Sequence, residues 1–119
     1  MSAMIMPSDI VETVYEVLTR ANRGKGARPR AMTAYAVLDR LPLDLRDNLI
    51  HERGMPGKGS GSTYSAAQVV SDACEILARE TPPRVKITYH DCEGERYRVA
   101  DQWIEAGYSG GVCARYRAL

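Results

Sequence analysis

The run His90-Asp91-Cys92-Glu93 gathers four side chains that can ligate a metal ion or take part in nucleophilic catalysis. Adjacent residues of a strand point to opposite faces, so the four cannot chelate one ion without a turn. His51 is the only other histidine, and nothing stands at zinc-binding spacing to complete a site. Cys92 or Cys113 could pair with His90 as a catalytic nucleophile and base, but the sequence indicates no donor for the oxyanion that such catalysis requires. We therefore predict no metal, no cofactor and no enzymatic activity.

A glycine-rich loop at residues 54–62 is the second chemical candidate, because glycines expose backbone N–H groups to a phosphate and Lys58 adds a positive charge. The loop does not match a Walker motif, since no Gly-Lys-Ser/Thr follows a strand with the required gap. A surface linker is the favoured interpretation, and Lys58 is kept as a candidate phosphate contact.

The net charge of +1 conceals an uneven distribution. Residues 1–19 carry three acids and no Lys or Arg, whereas residues 20–30 carry five basic residues and no acid. A local basic segment is typical either of a polyanion contact or of a solubilising loop. The near-neutral charge of the whole chain favours the solubilising loop, and the polyanion contact remains the functional hypothesis.

The totals predict one cytoplasmic domain. A chain of 119 residues has room for a single core. Its three cysteines are odd in number and include no CxxC pair, which argues against a disulfide framework and for a reducing compartment. The N-terminal apolar run is short and has no basic segment before it, so neither a signal peptide nor a membrane span is expected.

Helix signals fill the first part of the chain, up to about residue 80. Apolar residues recur at helical spacing behind Ser8, which we expect to cap a first helix at residues 9–22. Thr33 is expected to cap a short second helix, which ends at Leu41 because a proline follows it.

Two further helices are predicted on either side of the glycine loop. The proline suits the first turn of a third helix at residues 42–53, and Gly54 is its expected stop. Residues 65–68 have the spacing of a capping box, which would begin a fourth helix at residues 66–79.

The pattern changes to strand alternation after residue 84. Val85, Ile87 and Tyr89 alternate with polar residues, and similar alternation returns near the C-terminus. The predicted fold class is therefore α+β, with four helices at about 8–80 followed by a small antiparallel β-meander of two or three strands at about 84–118. If the apolar residues, with Trp103 among them, face the helices, the other face of the sheet is predominantly basic. That face would carry Lys86, His90, Arg96, Arg98, Arg115 and Arg117.

The order of elements resembles a helix-turn-helix or winged-helix protein, because a helix, a proline corner and a second helix at residues 34–53 precede another helix and a sheet. The resemblance implies DNA binding and regulation, with a recognition helix at residues 43–53 or 66–79. Arg46 on the first of these helices is a suitable base or phosphate contact. Asp44 and Asp47 on the same helix oppose it, and a compact helical core with solvated faces is the alternative.

The leading functional hypothesis is a non-enzymatic module that binds nucleic acid in the cytoplasm. Phosphate contacts would supply affinity without sequence choice. The candidate contacts are the basic residues Arg23, Lys25, Arg28, Arg30, Arg46, Lys58, Arg96, Arg98, Arg115 and Arg117.

The alternative is a protein-binding adaptor or inhibitor. The chain is small, nearly neutral and rich in tyrosine, and Tyr and Arg are favoured at interfaces. Residues 33–54 resemble small proteins of phages and mobile elements, which would fit regulation or inhibition of a host protein. Partner identity, the choice between DNA, RNA and protein, and the oligomeric state are left open at this stage.

Overall fold

The structure, a computed structural model, describes residues 4–21, 31–57, 65–106 and 112–119. Four helices are followed by antiparallel strands, so the predicted α+β class and the order of helices before strands are confirmed. The helices are α1 Pro7–Ala21, α2 Ala34–Arg40, α3 Leu43–Arg53 and α4 Ala66–Ala78. The strands are β1 Val85–Asp91, β2 Arg96–Val99, β3 Gln102–Glu105 and β4 Val112–Ala118.

The local signals around α2 and α3 act as predicted. The hydroxyl of Thr33 accepts a hydrogen bond from the backbone N–H of Ala36 at 3.2 Å, which satisfies one of the free donors at the start of α2. Gly54 ends α3 with φ of 91°, in the region that favours glycine.

The caps predicted for α1 and α4 are wrong. α1 begins at Pro7, one residue before Ser8, and the Asp9 carboxylate accepts a hydrogen bond from the N–H of Met6 at 2.8 Å. Proline suits this first position because its missing N–H would have no helical partner there. Ser65 precedes α4 but makes no side-chain cap. The Gln68 side chain donates instead to the Asp72 carboxylate along the same helix.

The core is built around α1 and α4, which pack along each other. Val14 and Leu18 on α1, with Val70 and Leu77 on α4, are completely buried. Truncating a buried leucine of this kind costs about 2–5 kcal/mol. Because α4 also contacts β1 and α1 contacts β4, this helix pair positions the strands.

The strands form two separate ladders where a meander was predicted. β1 pairs with β4, from Val85 opposite Ala118 to Asp91 opposite Val112. β2 pairs with β3 as a hairpin that lies between them in the sequence. The described residues thus form four strands, and the first pairs with the last. Alternation reveals which residues of a strand share a face, whereas the choice of partner depends on tertiary packing.

The hydrogen bonds that β4 makes on the side away from β1 show which backbone groups of β1 point outward. Tyr116 and Met32 exchange two backbone hydrogen bonds of 2.8 Å each. In an antiparallel ladder both backbone groups of a residue point to the same side, and the side alternates along the strand. The groups of β4 that face β1 therefore belong to its odd-numbered residues, and the outward groups of β1 include those of Ile87 and Tyr89.

A disulfide joins Cys92 to Cys113, with the two Cα atoms 5.7 Å apart, so the expectation of no disulfide is wrong. The register explains it, because His90 lies opposite Cys113 and brings the end of β1 beside the start of β4. Cys74 is the odd cysteine and lies buried on α4 as a free thiol. The argument from cysteine count to a reducing compartment therefore loses its basis.

Candidate functional site

Three cations share one face of the β1–β4 ladder, and we call Lys86, Arg115 and Arg117 the basic face. Lys86 lies directly opposite Arg117, and Arg115 lies opposite Thr88. Within the described ranges, no carboxylate lies within ion-pair distance of these three cations. Like charges directly opposite each other destabilise a ladder. The basic face therefore carries a pair of cations whose repulsion is not offset by an ion pair with any acid in the part of the chain that the structure describes.

The Arg117 guanidinium also has a buried donor whose acceptor is missing from the described residues. The side chain is half-buried, and its Nε lies out of solvent with no hydrogen-bond partner among the described residues. A buried guanidinium nitrogen without an acceptor costs free energy, because it has lost water and gained nothing. An anion bound at the basic face would supply the missing acceptor.

Arg96 and Arg98 do not join this face, contrary to the sequence-based expectation of one basic sheet surface. They lie on the separate β2–β3 ladder. The guanidinium of Arg96 stacks over the Trp103 ring at 5.6 Å, a cation–π contact. Arg98 lies 3.5 Å from the Asp101 carboxylate in an exposed ion pair.

Arg46 is held in contacts within the fold. Its guanidinium lies 3.0 Å from Asp47 and 3.7 Å from Asp39, and its side chain is only 15% exposed. Arg53, at the end of the same predicted recognition helix, is also engaged, because it donates to the Ile5 carbonyl at 3.0 Å. Asn48 remains exposed on α3.

The remaining candidates, Arg23, Lys25, Arg28, Arg30 and Lys58, lie outside the described residues. Ala21 and Ala31 are the described residues on either side of positions 22–30, and both line the same cleft. Its volume is about 410 Å³. The cleft also contains Met32, Thr33, Ala36, Arg40, Glu95, Tyr97 and Arg115. The described residues on either side of positions 22–30 therefore lie at a cleft that Arg115 of the basic face also lines.

A small polar cluster forms one wall of this cleft. Glu95 accepts a hydrogen bond from the Tyr97 hydroxyl, and the Nε2 of His90 lies 3.3 Å from the same carboxylate. The Tyr97 hydrogen bond, then His90 and the charge of Arg115, hold the pKa of Glu95 below its usual value. Burial, followed by Glu95, raises the pKa of Tyr97. These shifts keep the carboxylate ionised and the phenol protonated, which is typical of a structural pair and unlike a general base poised near neutral pH.

The residues that suggested metal or thiol chemistry are otherwise engaged. Cys92 and Cys113 are bonded to each other, so neither is a thiolate nucleophile in this state. Nowhere in the described part of the chain do three His, Cys, Asp or Glu side chains group to hold a metal ion. No helix there is long and apolar enough to cross a membrane.

The opposite face of the ladder forms an apolar groove of about 220 Å³ against α4. Its lining consists of Gln68, Ser71, Glu75, Ile87, Tyr89, Val112, Ala114 and Tyr116. Tyr89 and Trp103 were expected to face the core, yet they are 71% and 60% exposed. Alternation predicts the face on which a side chain lies, but a second element must cover that face to bury it. At the bottom of the groove, the hydroxyls of Ser71 and Tyr116 are hydrogen-bonded at 2.5 Å.

Sequence reasoning missed two cations as candidate contacts. The alternation had placed Lys86 on the basic face, but only the β1–β4 register shows that it stands against Arg117. Arg40 lines the cleft from the end of α2, and no sequence signal indicated this position. Comparisons with protein-family models, curated proteins and solved structures find no significant match to this chain. The geometry is therefore the basis for any functional conclusion.

Proposed function

We propose that this chain is a non-enzymatic binding module that contacts nucleic-acid phosphates through the basic face. The observation that supports the proposal most is the opposition of Lys86 and Arg117 on neighbouring strands without a carboxylate partner in the described ranges. Paired cations at such a distance (about 5.5 Å between Cα atoms in a hydrogen-bonded pair) suit contact with one phosphate or two adjacent ones. Such contacts give affinity and position without reading sequence.

The basic segment contributes a second group of proposed contacts. Arg23, Lys25, Arg28 and Arg30 follow Ala21, which lines the cleft beside Arg115. A phosphate backbone that crosses the basic face can therefore reach the cleft at Ala21, and these four basic residues follow Ala21 in the sequence. Lys58 remains a sequence-based candidate of the same kind.

The test is binding of labelled mixed-sequence duplex DNA as a function of salt. The slope of log affinity against log salt is expected to fall by about 0.9 for each phosphate contact removed. Lys86→Gln and Arg117→Gln should each reduce the slope by that amount. Arg79→Gln is the matched control, because Arg79 is an exposed cation that follows the last residue of α4 and has the same charge. No binding at low salt, or an equal loss in the control, would contradict the proposal.

A protein-binding adaptor is the second candidate function, and the exposed apolar groove favours it. Tyr89 and Val112 present apolar surface beside the groove with 71% and 49% exposure. Contiguous exposed apolar surface is a mark of protein interaction sites rather than of phosphate contacts.

A further inference from the structure

We infer that the outer edge of β1 is a docking site for an extended peptide of alternating acidic and apolar residues, which adds to the β1–β4 ladder as a new strand. The inference rests on the second candidate function and states the chemistry of its partner. It uses three features that meet at this edge: unpaired backbone groups, the apolar groove and the basic face.

The backbone groups at the edge are ready for pairing. The N–H and C=O groups of Ile87 and Tyr89 point away from β4, as the hydrogen bonds of Tyr116 to Met32 require. The bond from the Leu119 N–H to the Arg84 carbonyl continues the same alternation beyond the paired strands. No group in the described segments pairs with the outward groups of Ile87 and Tyr89. An open strand edge of this kind is a template for strand addition.

The apolar groove determines one half of the peptide pattern. A strand added beside β1 places alternate side chains on the two faces of the ladder. On one face these side chains lie next to Ile87 and Tyr89, at the rim of the groove that Val112 and Ala114 line on β4. Tyr89 is 71% exposed and would be covered by the added strand. Valine or another β-branched residue suits these positions.

The basic face determines the other half of the peptide pattern, the acidic residues. The remaining side chains of the added strand lie beside Lys86, with Arg117 and Arg115 on the next strand. Acidic residues at these positions would pair with Lys86 and offset its repulsion with Arg117. The same charges argue against a second copy of this chain as the occupant. Two β1 edges paired about a twofold axis bring both basic faces to the same side of the joint sheet, so the cations would repel.

The probe is a capped peptide of seven residues, the length of β1, with glutamate and valine in alternation. It is titrated against the full chain and followed by calorimetry. A peptide with lysine in place of glutamate is the charge control, and we expect it to bind at least about tenfold more weakly because the basic face repels it. On the protein, Tyr89→Ala should weaken binding about tenfold, whereas Trp103→Ala, which removes an exposed aromatic on β3, should leave it unchanged.

Backbone methylation of the peptide distinguishes strand addition from a contact by charge alone. In antiparallel addition the residue opposite Ile87 shares its face and points its amide at β1, so the valine amides make the hydrogen bonds. N-methylation at the valines should abolish binding, and N-methylation at the glutamates should preserve it. If both methylated peptides bind like the parent, strand addition is overturned while protein binding stands. If the parent peptide does not bind, or if the chain forms a dimer that Tyr89→Ala dissociates, the inference is wrong irrespective of the DNA result.

Discussion

The Asp39 carboxylate accepts a hydrogen bond from the backbone N–H of Ala100 at 3.0 Å, which ties α2 to the turn between β2 and β3. Ala100 and Asp101 both have positive φ, 48° and 66°. This is the pattern of a two-residue type I′ turn, where Asn-Gly is the favoured pair. A non-glycine residue in the left-handed region costs about 1 kcal/mol. Asp39 thus stabilises a turn whose own residues do not favour it.

Asp39→Ala should lower the free energy of unfolding by about 1–2 kcal/mol, because the Ala100 N–H loses a charged acceptor. Ala100→Gly should raise it by about 0.5–1 kcal/mol, since glycine adopts positive φ without a Cβ clash. Urea denaturation measures both changes. Asp47→Ala is the control, because Asp47 also pairs with Arg46 but makes no contact with the turn. If Asp39→Ala and Asp47→Ala lower the free energy of unfolding equally, the loss comes from the ion pair with Arg46, and the hydrogen bond to the turn does not contribute.

Removal of the disulfide should destabilise the chain substantially. Cys92 and Cys113 are 21 residues apart, and closing a loop of that size restricts the unfolded state by about 3 kcal/mol in the chain-entropy model. Thermal unfolding with and without a reductant measures the effect, and reduction should lower the midpoint. The double variant Cys92→Ala, Cys113→Ala should unfold at the lower midpoint in both conditions. A wild-type midpoint that does not respond to complete reduction would contradict the expectation.

Tyr116, which is buried, and Tyr97, which is half-buried, should make the folded state sensitive to high pH. Burial raises the pKa of Tyr116 to about 12, although its hydrogen bond to Ser71 opposes the shift. The pKa of Tyr97 is raised as well, by burial and by Glu95. Because the folded values exceed the unfolded value of about 10, their stabilisation is complete below pH 10 and is lost as pH rises through the folded values.

Absorbance at 295 nm during an alkaline titration checks this expectation. A late ionisation step should coincide with the loss of the folded state, and Tyr116→Phe should make that step smaller. Tyr89→Phe removes an exposed phenol and controls for the total absorbance change. An alkaline titration whose late step is the same in Tyr116→Phe would show that burial of this phenol has no such effect.

The acid side of the stability profile should depend on Arg84. Its guanidinium donates to Glu12 at 2.8 and 3.0 Å and to Glu80 at 2.5 and 2.8 Å. These hydrogen bonds hold the pKa of both carboxyls below its usual value for a glutamate. Since the folded values are lowered, the stabilisation is present above about pH 4.5 and is lost as pH falls through the folded values.

Arg84→Gln should therefore flatten the loss of stability between pH 5 and pH 2. Urea midpoints measured across this range provide the test. Arg79→Gln removes an exposed cation at the C-terminal end of α4 and should keep the acid profile of the parent chain. A profile for Arg84→Gln as steep as that of the parent would locate the acid sensitivity in other carboxyls.

The sequence by itself determined the helices and the fold class. Thr33, Pro42 and Gly54 act on backbone groups within one turn of themselves, so their effect does not depend on distant residues. The same holds for the alternation that predicts β1, because it reflects a period of two along a single strand. These signals are local, and the structure follows them closely for α2 and α3.

The tertiary structure decided which elements meet, and the candidate site depends on that. The pairing of β1 with β4 places Lys86 opposite Arg117, brings Cys92 to Cys113 and leaves the edge at Tyr89 open. None of these relationships has a local signal in the sequence, because the residues of one strand do not indicate which other strand it pairs with. They follow from burial of the helix pair α1 and α4, whose packing determines where each strand can lie.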